Sequence, residues 1–319
     1  MVRLLWRTDV HLSDRAPVSR KDDWVTTVFG KLDQTRMVAE KAKVHAILDG
    51  GDFFHIKSPS RNSHRLVRQV ADHHSKYPCP VYCTPGNHDS VYGDYAFLEQ
   101  QPLGVLFASG VFRRLYDEHE AVFEEGGVKV RVVGVPYHGS KYDKDRLARI
   151  TKGAEDYLVC VAHLLASPSG GSMFEDEDIL SYRDMAKMAP DIWLLGHWHK
   201  DQGVVEVGGK KFVNVGAMTR GSIVQDEVER RPAIVLMSFS KGEVEIRALR
   251  LRTAPADEVF DLDARTRAEA RTMTLDAFVA SVRETLVDSH HGTLEDTVGE
   301  MKDIPEKIRE KALLYLERV

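Results

Sequence analysis

The 319-residue chain contains no run of eighteen or more apolar residues, so no membrane-spanning helix is expected. Its opening stretch, MVRLLWRTDVHL, is too short in apolar residues for a secretory signal. Cysteine is scarce. Cys79, Cys83 and Cys160 lack zinc-type spacing and lie in or beside strand-like runs. That usage points to buried free thiols and a reducing, cytoplasmic setting rather than a disulfide framework. No internal repeat or low-complexity tract is visible. Positive charge is not in excess either: 44 basic against 49 acidic residues give a formal net charge of −5. The imbalance is local, because residues 254–319 carry 15 acidic and 9 basic side chains while 1–253 carry 34 and 35. Acids that sit on metal ions are neutralised there. Charge alone therefore neither favours nor excludes a polyanionic substrate.

What the chain does have is alternation of strand and helix signals. Val2–Thr8, Val44–Asp49 and Pro80–Thr84 read as buried strands, separated by helical stretches at about 24–43 and 60–76. That spacing predicts parallel pairing in an α/β layer. Further strands are expected at Val128–Val135, Tyr157–Ala162 and Asp191–Leu195, with helical stretches near 142–152 and 179–188. Two hairpins follow, turning at Gly208-Gly209 and Lys241-Gly242. The expectation is about ten strands in a layered αββα sandwich of two mixed β-sheets with helices outside. Ala166–Asp178 reads as one long irregular segment able to act as a lid. Ala254-Pro255-Ala256 reads as a linker between a domain at 1–253 and a short C-terminal helical segment at 254–319, with helices behind Thr274 and Asp303.

Five short motifs carry the chemistry: Asp9-Val10-His11, Gly51-Asp52-Phe53-Phe54-His55, Gly86-Asn87-His88-Asp89, His163, and Gly196-His197-Trp198-His199. Each sits where an apolar run ends. In Asp9-x-His11 and His197-x-His199 the two side chains are two residues apart, so an extended segment points both the same way. Gly50 and Gly51 allow a sharp turn before Asp52. Carboxylate and amide oxygens mixed with imidazole nitrogens suit two divalent ions, manganese, iron or zinc rather than calcium. Each motif alone is weak, since a lone Asp-x-His or His-x-His is commonly structural. Their fixed order at successive strand ends is what points to hydrolysis of a phosphate ester.

That ordered set resembles the calcineurin-like metallophosphoesterase superfamily over about residues 1–250. Within it, His55 with Lys57-Ser58-Pro59-Ser60 close behind, and the added C-terminal segment, resemble the DNA-repair exonuclease branch of SbcD type. The resemblance implies that Asp9, His11, Asp52 and His199 hold one metal, with Asp52 bridging to a second held by Asn87, His163 and His197. It implies two divalent ions, manganese first and iron or zinc as alternatives, with in-line attack of water on phosphorus. His88 would act as general acid on the leaving oxygen, Asp89 would fix its tautomer, and His55 would stabilise charge on the phosphate. DNA would be the substrate, an SbcC-like coiled-coil ATPase the partner, and a homodimer the assembly, with no membrane involved. The chain is shorter than branch members with a full capping domain, which bears on DNA handling and dimerisation but not on metal chemistry.

Other candidates are weaker. Arg220 could bring a guanidinium to a substrate phosphate, or form an ordinary ion pair. His138 could line the cleft, or sit in a surface loop. Lys57, Arg61, Arg65 and Arg68 could track a nucleic-acid backbone, and Tyr92 or Tyr95 could stack on a base, against a solvated helix face and core packing. Two other functions stay open: a stand-alone phosphodiesterase or phosphatase on a small phosphate ester, marked by a walled cleft without a basic track, and a non-catalytic scaffold, which would have lost ligands or His88.

Overall fold

The β-branched and leucine-rich runs pair because each alternates two apolar faces, both of which must be covered. A computed structural model describes residues 1–55, 62–90, 95–142, 144–174 and 177–262. The first sheet contains β1 (Val2–Arg7), β2 (Ala46–Asp49), β3 (Val81–Cys83) and β4 (Arg113–Arg114), extended on the other side of β1 by β14 (Ala233–Ser240) and β15 (Glu243–Arg250). β1 to β4 run parallel, and β14 and β15 are antiparallel additions. The second sheet has the order β12 (Asp201–Val207), β13 (Lys210–Val215), β11 (Ile192–Gly196), β7 (Tyr157–His163), β6 (Val128–Val135), β5 (Ala121–Glu125). Its four inner strands are parallel and its two edges antiparallel. Both sheets are mixed, as the sequence predicts.

Side-chain alternation sorts the core into three layers. Leu4, Trp6, Leu48, Val235 and Met237 of the first sheet meet Val130, Val132, Val159, Val161, Ile192 and Val213 of the second. The opposite faces carry Leu5, Ile47 and Ile234 on one side, and Cys160, Trp193, Leu195 and Phe212 on the other. The first group is covered by α1 (Trp24–Ala42), α2 (His64–His74) and α3 (Pro102–Ala108), through Val28, Leu32, Leu66, Val70, Leu103 and Leu106. The second is covered by Leu147 of α4 (Lys144–Ala148) and by Tyr182 and Met185 of α5 (Tyr182–Met185). The result is the αββα sandwich expected. Both long helices start at side-chain caps: the Asp23 carboxylate accepts from Thr26 N–H, and the Ser63 hydroxyl accepts from Leu66 N–H.

The structure departs from the expectation in places where pairing, not local pattern, decides. There are fifteen strands among the described residues, not about ten. Ala166–Asp178 is not one irregular lid: β8 (Ala166–Ser167), β9 (Gly171–Phe174) and β10 (Glu177–Ser181) form a small sheet in the order β8-β10-β9. The helix expected at 179–188 starts only at Tyr182, because 179–181 belong to β10. Ala254-Pro255-Ala256 leads into α7 (Ala256–Val259), with α6 (Gln225–Glu229) earlier in the chain, and Phe260 beyond it is fully buried. The first compact unit ends at Phe260. The helices expected behind Thr274 and Asp303 lie outside the described residues. So do Lys57, Arg61 and Tyr92. All three cysteines are free, Cys83 and Cys160 buried and Cys79 half-buried. Among the described residues no helix is long and apolar enough to cross a membrane.

Candidate metal centre

Parallel strands end together, so the loops after β1, β2, β3, β7 and β11 open on one edge of the sandwich. β7 and β11 are in register with Gly196 opposite His163, which sets His197 beside His163. From the first sheet, the loop bonds Asp9 N–H to Gly51 O (3.0 Å) and His11 N–H to Asp52 O (2.9 Å) lock the β1 and β2 ends to each other. Six described non-glycine residues adopt positive φ, and four of them are Asp9 (53°), His11 (51°), Asp52 (52°) and His197 (84°). Such backbone costs about 1–3 kcal/mol per residue and persists where surrounding structure enforces it. Its concentration on four of the seven candidate ligands marks this edge as a functional one.

The loops are also tightly nested. Gly51 lies at φ +95°, and a Cβ on it would come within 2.6 Å of Gly86 N. A Cβ on Gly86 would strike the Asp52 carboxylate and lie 2.5 Å from Asp52 N. Gly86→Ala should therefore displace Asp52 and weaken metal binding by about 10–100-fold, the range seen when a ligand loses its support. A calorimetric titration giving unchanged affinity would contradict that nesting.

The candidate ligands converge as two groups sharing one edge. Asp9, His11 and His199 can offer atoms all within 4.8 Å of one another, and so can Asp52, His163 and His197. His11 Nε2 stands 2.9 Å from His199 Nε2, 3.8 Å from Asp9 Oδ1 and 3.7 Å from Asp52 Oδ2. His163 Nε2 lies 3.1 Å from Asn87 Oδ1 and 3.5 Å from Asp52 Oδ2, while its Nδ1–H donates to Gly50 O at 2.7 Å. Asp52 thus faces both groups, through His11 on one side and His163 on the other. His197 N–H donates to the Asp9 carboxylate (3.2 Å), and the Thr8 hydroxyl donates to Asp9 Oδ2 (2.6 Å). Asp9 and Asp52 are buried beneath these rings.

Burial should raise both carboxyls, yet the surrounding imidazoles hold Asp9 and Asp52 below the usual carboxylate range. Burial should likewise lower His163, but the Asp52 carboxylate lifts it to about 9. Two buried anions ringed by imidazoles form a donor set of nitrogen and hard oxygen that divalent transition ions complete. The residues fit a pair of such ions.

His55 and His88 flank this set. Their rings stack at 5.1 Å, both edge-on to His11, with His55 Nδ1 3.2 Å from His11 Nδ1. The His88 ring is held by Nδ1–H donating to His55 O at 2.7 Å, and its backbone N–H donates to Asp52 Oδ1 at 2.7 Å. This corrects the role read for Asp89. Its buried carboxylate accepts from the backbone N–H groups of Asp52 (2.7 Å), Gly86 (2.9 Å) and Phe54 (3.3 Å). Burial pushes that carboxyl up to about 8, helped by the Asp52 charge and opposed by the N–H groups. Asp89 ties the β2 and β3 loops together, and the His55 carbonyl is what sets the His88 tautomer.

One further reading is corrected. Arg220 is 4 % exposed, its guanidinium donates to Val228 O (2.8 Å) and Ala254 O (2.7 Å), and it lies over the Phe260 ring. It braces the loop after β13 and does not face the site. Arg220→Ala should cost about 1–3 kcal/mol by leaving two carbonyls unpaired, measurable as a lower urea midpoint. KM should stay unchanged, and a large rise in KM at constant stability would restore the substrate role. His138 turns to Pro136 O (3.1 Å) and the Tyr142 ring, and its neighbour Tyr137 packs on His197 at 5.2 Å. Arg65 and Arg68 are exposed on α2.

Two chambers open from the ligands and share His88 and His199. One of about 430 Å³ is walled by Leu165, Ile179, Trp198 and Glu177. The other, of about 470 Å³, is lined by Arg15, Pro17, Val18, Trp24, Thr219 and Glu227. Glu177, Tyr137 and the apolar wall were not read from the sequence. Glu177 lies in an acidic stretch (Phe174-Glu-Asp-Glu-Asp) with no ligand-like spacing, and only strand parity could have separated Tyr137 from His138.

Residues 2–201 match the family model described as Calcineurin-like phosphoesterase. The chain is 25% identical over 164 residues to the "Uncharacterized metallophosphoesterase YhaO" of Bacillus subtilis, covering 51% of this chain and 39% of that protein. It is 30% identical over 115 residues to the "Double-strand break repair protein mus-23" of Neurospora crassa, covering 35% of this chain and 15% of that protein. The matches thus span well under two thirds of either relative. The solved structure of TT1561 of Thermus thermophilus matches at 13% identity with a TM-score of 0.46, over 78% of this chain and 99% of that one.

Proposed function

The chain belongs to the calcineurin-like phosphoesterase family, and from that premise we propose that it hydrolyses the phosphodiester bonds of DNA. Membership makes it a metal-dependent phosphoester hydrolase. The narrower reading, an SbcD-type exonuclease or endonuclease in DNA repair, is carried by His55 stacked on His88 beside the ligands. It is supported by the likeness to a protein described as acting in double-strand break repair.

On this reading Asp9, His11, Asp52 and His199 hold one manganese ion, and Asp52, Asn87, His163 and His197 the other, with iron or zinc as alternatives. When bound, the metals supply activation of water and neutralisation of charge at phosphorus. The protein's own groups do the rest. Asp52 links the two positions. His88, with Nδ1–H donating to the His55 carbonyl, presents Nε2 to the leaving oxygen and delivers the proton. His55 reaches a phosphate oxygen and stabilises its charge. The same reading places a coiled-coil ATPase of SbcC type at residues 254–319, a homodimer as the assembly, and the cytoplasm as the compartment.

A second reading has its own observation. Among the described residues lining the two chambers, Arg15 is the one lysine or arginine, set against Glu177 and Glu227 and an apolar wall. That lining favours a small phosphodiester. Side-by-side turnover of single-stranded DNA, duplex DNA, RNA and bis-p-nitrophenyl phosphate under manganese tests both. Efficient cleavage of linear DNA is expected; turnover of the small diester with inert DNA would replace the first reading by the second.

A further inference from the structure

Glu177 begins β10 in the small three-stranded sheet, outside every ligand motif, and its Oε1 lies 2.9 Å from His197 Nε2, 20 residues further along. The same oxygen accepts from the Tyr142 hydroxyl at 3.0 Å, and the Tyr142 oxygen accepts from Leu165 N–H at 2.8 Å. Leu165 stands two residues after His163, so this chain of bonds runs from one candidate ligand strand to another. Tyr142 is buried, and Glu177 and His197 are each about 15 % exposed. Two donors on one carboxylate oxygen restrict where it can sit.

We propose that Glu177 is a positioning residue for metal binding: it accepts the His197 Nε2–H and so leaves Nδ1 as the nitrogen that joins Asp52 and His163. The inference rests on the two-metal reading of the site. The physical basis is the imidazole itself. A neutral ring carries one N–H and one lone pair, and the bond made by the first decides which nitrogen offers the second. A carboxylate behind a ligating histidine fixes ring orientation, raises its basicity, and changes metal affinity by about 10–100-fold when removed. The Tyr137 ring packs on His197 at 5.2 Å, which further restricts the imidazole. Asp9, His11 and His199 receive no such support from Glu177, so the effect is selective for one metal position.

The test is calorimetric titration of the metal-stripped full chain with manganese chloride, with thermal melting as the fold control. Wild type is expected to bind two ions. Glu177→Met, which keeps bulk but has no acceptor oxygen, should weaken one of the two by about 10–100-fold and leave the other unchanged. Glu177→Gln keeps an oxygen that accepts the same N–H and should stay much closer to wild type. Equal affinities in Glu177→Met and wild type overturn the proposal, as does equal loss in the Gln and Met variants, which would make the carboxylate itself a ligand. If Glu177→Met fails to fold, Tyr142→Phe carries the test: weakening of the same site supports the proposal and an unchanged titration overturns it. A wild-type chain that binds no manganese, iron or zinc defeats the two-metal reading and this inference together, whereas wild-type binding with an inert Glu177→Met defeats this inference alone.

Discussion

On the proposed reading of DNA cleavage with His88 as general acid, His88→Gln is expected to lower kcat on DNA by about 100- to 10,000-fold, the usual contribution of a positioned general acid, with KM and bound metal nearly unchanged. The separation follows from what His88 touches. Its backbone N–H bonds Asp52 Oδ1, and a glutamine keeps that N–H, so the ligand loop stays in place. Only the imidazole is lost, and with it the proton that the proposed mechanism draws from this ring, held on the His55 carbonyl. The leaving group supplies a second readout. A deoxyribose alkoxide needs a proton as it departs, whereas p-nitrophenolate is stable without one. The defect should therefore be far smaller on bis-p-nitrophenyl phosphate than on DNA. Equal defects on both substrates would make His88 a phosphate-binding residue rather than an acid, and full activity would remove it from the mechanism.

Much of this centre is legible in the chain because the parallel strands announce themselves. Val2–Arg7, Ala46–Asp49, Tyr157–His163 and Ile192–Gly196 are nearly continuous apolar runs, as strands buried on both faces must be. Each is followed at once by a polar motif, so the convergence of Asp9, Asp52, His163 and His197 follows once the strands are taken as parallel. The missing strands are those without such a run. Arg113–Arg114 is two residues long, and Ala121–Glu125 is an edge with an exposed acidic end. The small sheet after His163 has Ser-Pro-Ser-Gly-Gly in its course, a turn signal that local reading cannot pair across. The burial of Arg220 is illegible for a related reason: a charged residue between a threonine and a glycine carries no local sign of being enclosed. The carbonyls of Val228 and Ala254 that bury it come from 8 and 34 residues further along. Glu177 is hidden in the same way, because its partner is chosen by strand pairing and leaves no mark on the spacing.

Arg7→Ala is expected to destabilise the fold by about 3–5 kcal/mol, the cost of removing one partner from a buried ion pair. Arg7 and Asp49 both have fully buried side chains, with Nε to Oδ2 at 2.7 Å. The guanidinium also donates to the Tyr77 hydroxyl (3.2 Å), faces His74 Nε2 (3.0 Å) and lies over the Phe53 and Phe112 rings. Alanine leaves the Asp49 carboxylate without its cation in a site where burial already pushes its pKa up. It also opens a cavity among aromatics. The effect should reach the metal centre, because Asp49 Oδ1 accepts from Gly51 N–H (3.2 Å) and thereby holds the turn that carries Asp52. Chemical denaturation should show the lower midpoint, and a manganese titration of the folded fraction should show weaker binding. The variant Arg7→Met with Asp49→Leu separates charge from shape. If the pair matters only because each charge needs the other, the apolar replacement recovers most of the stability lost in Arg7→Ala. It should not recover metal affinity, because leucine cannot accept the Gly51 N–H. Recovery of both would show that packing alone sets the Asp52 turn. A loss below about 1 kcal/mol in Arg7→Ala, the size expected of an exposed pair, would show that the pair does not anchor the β1 and β2 ends.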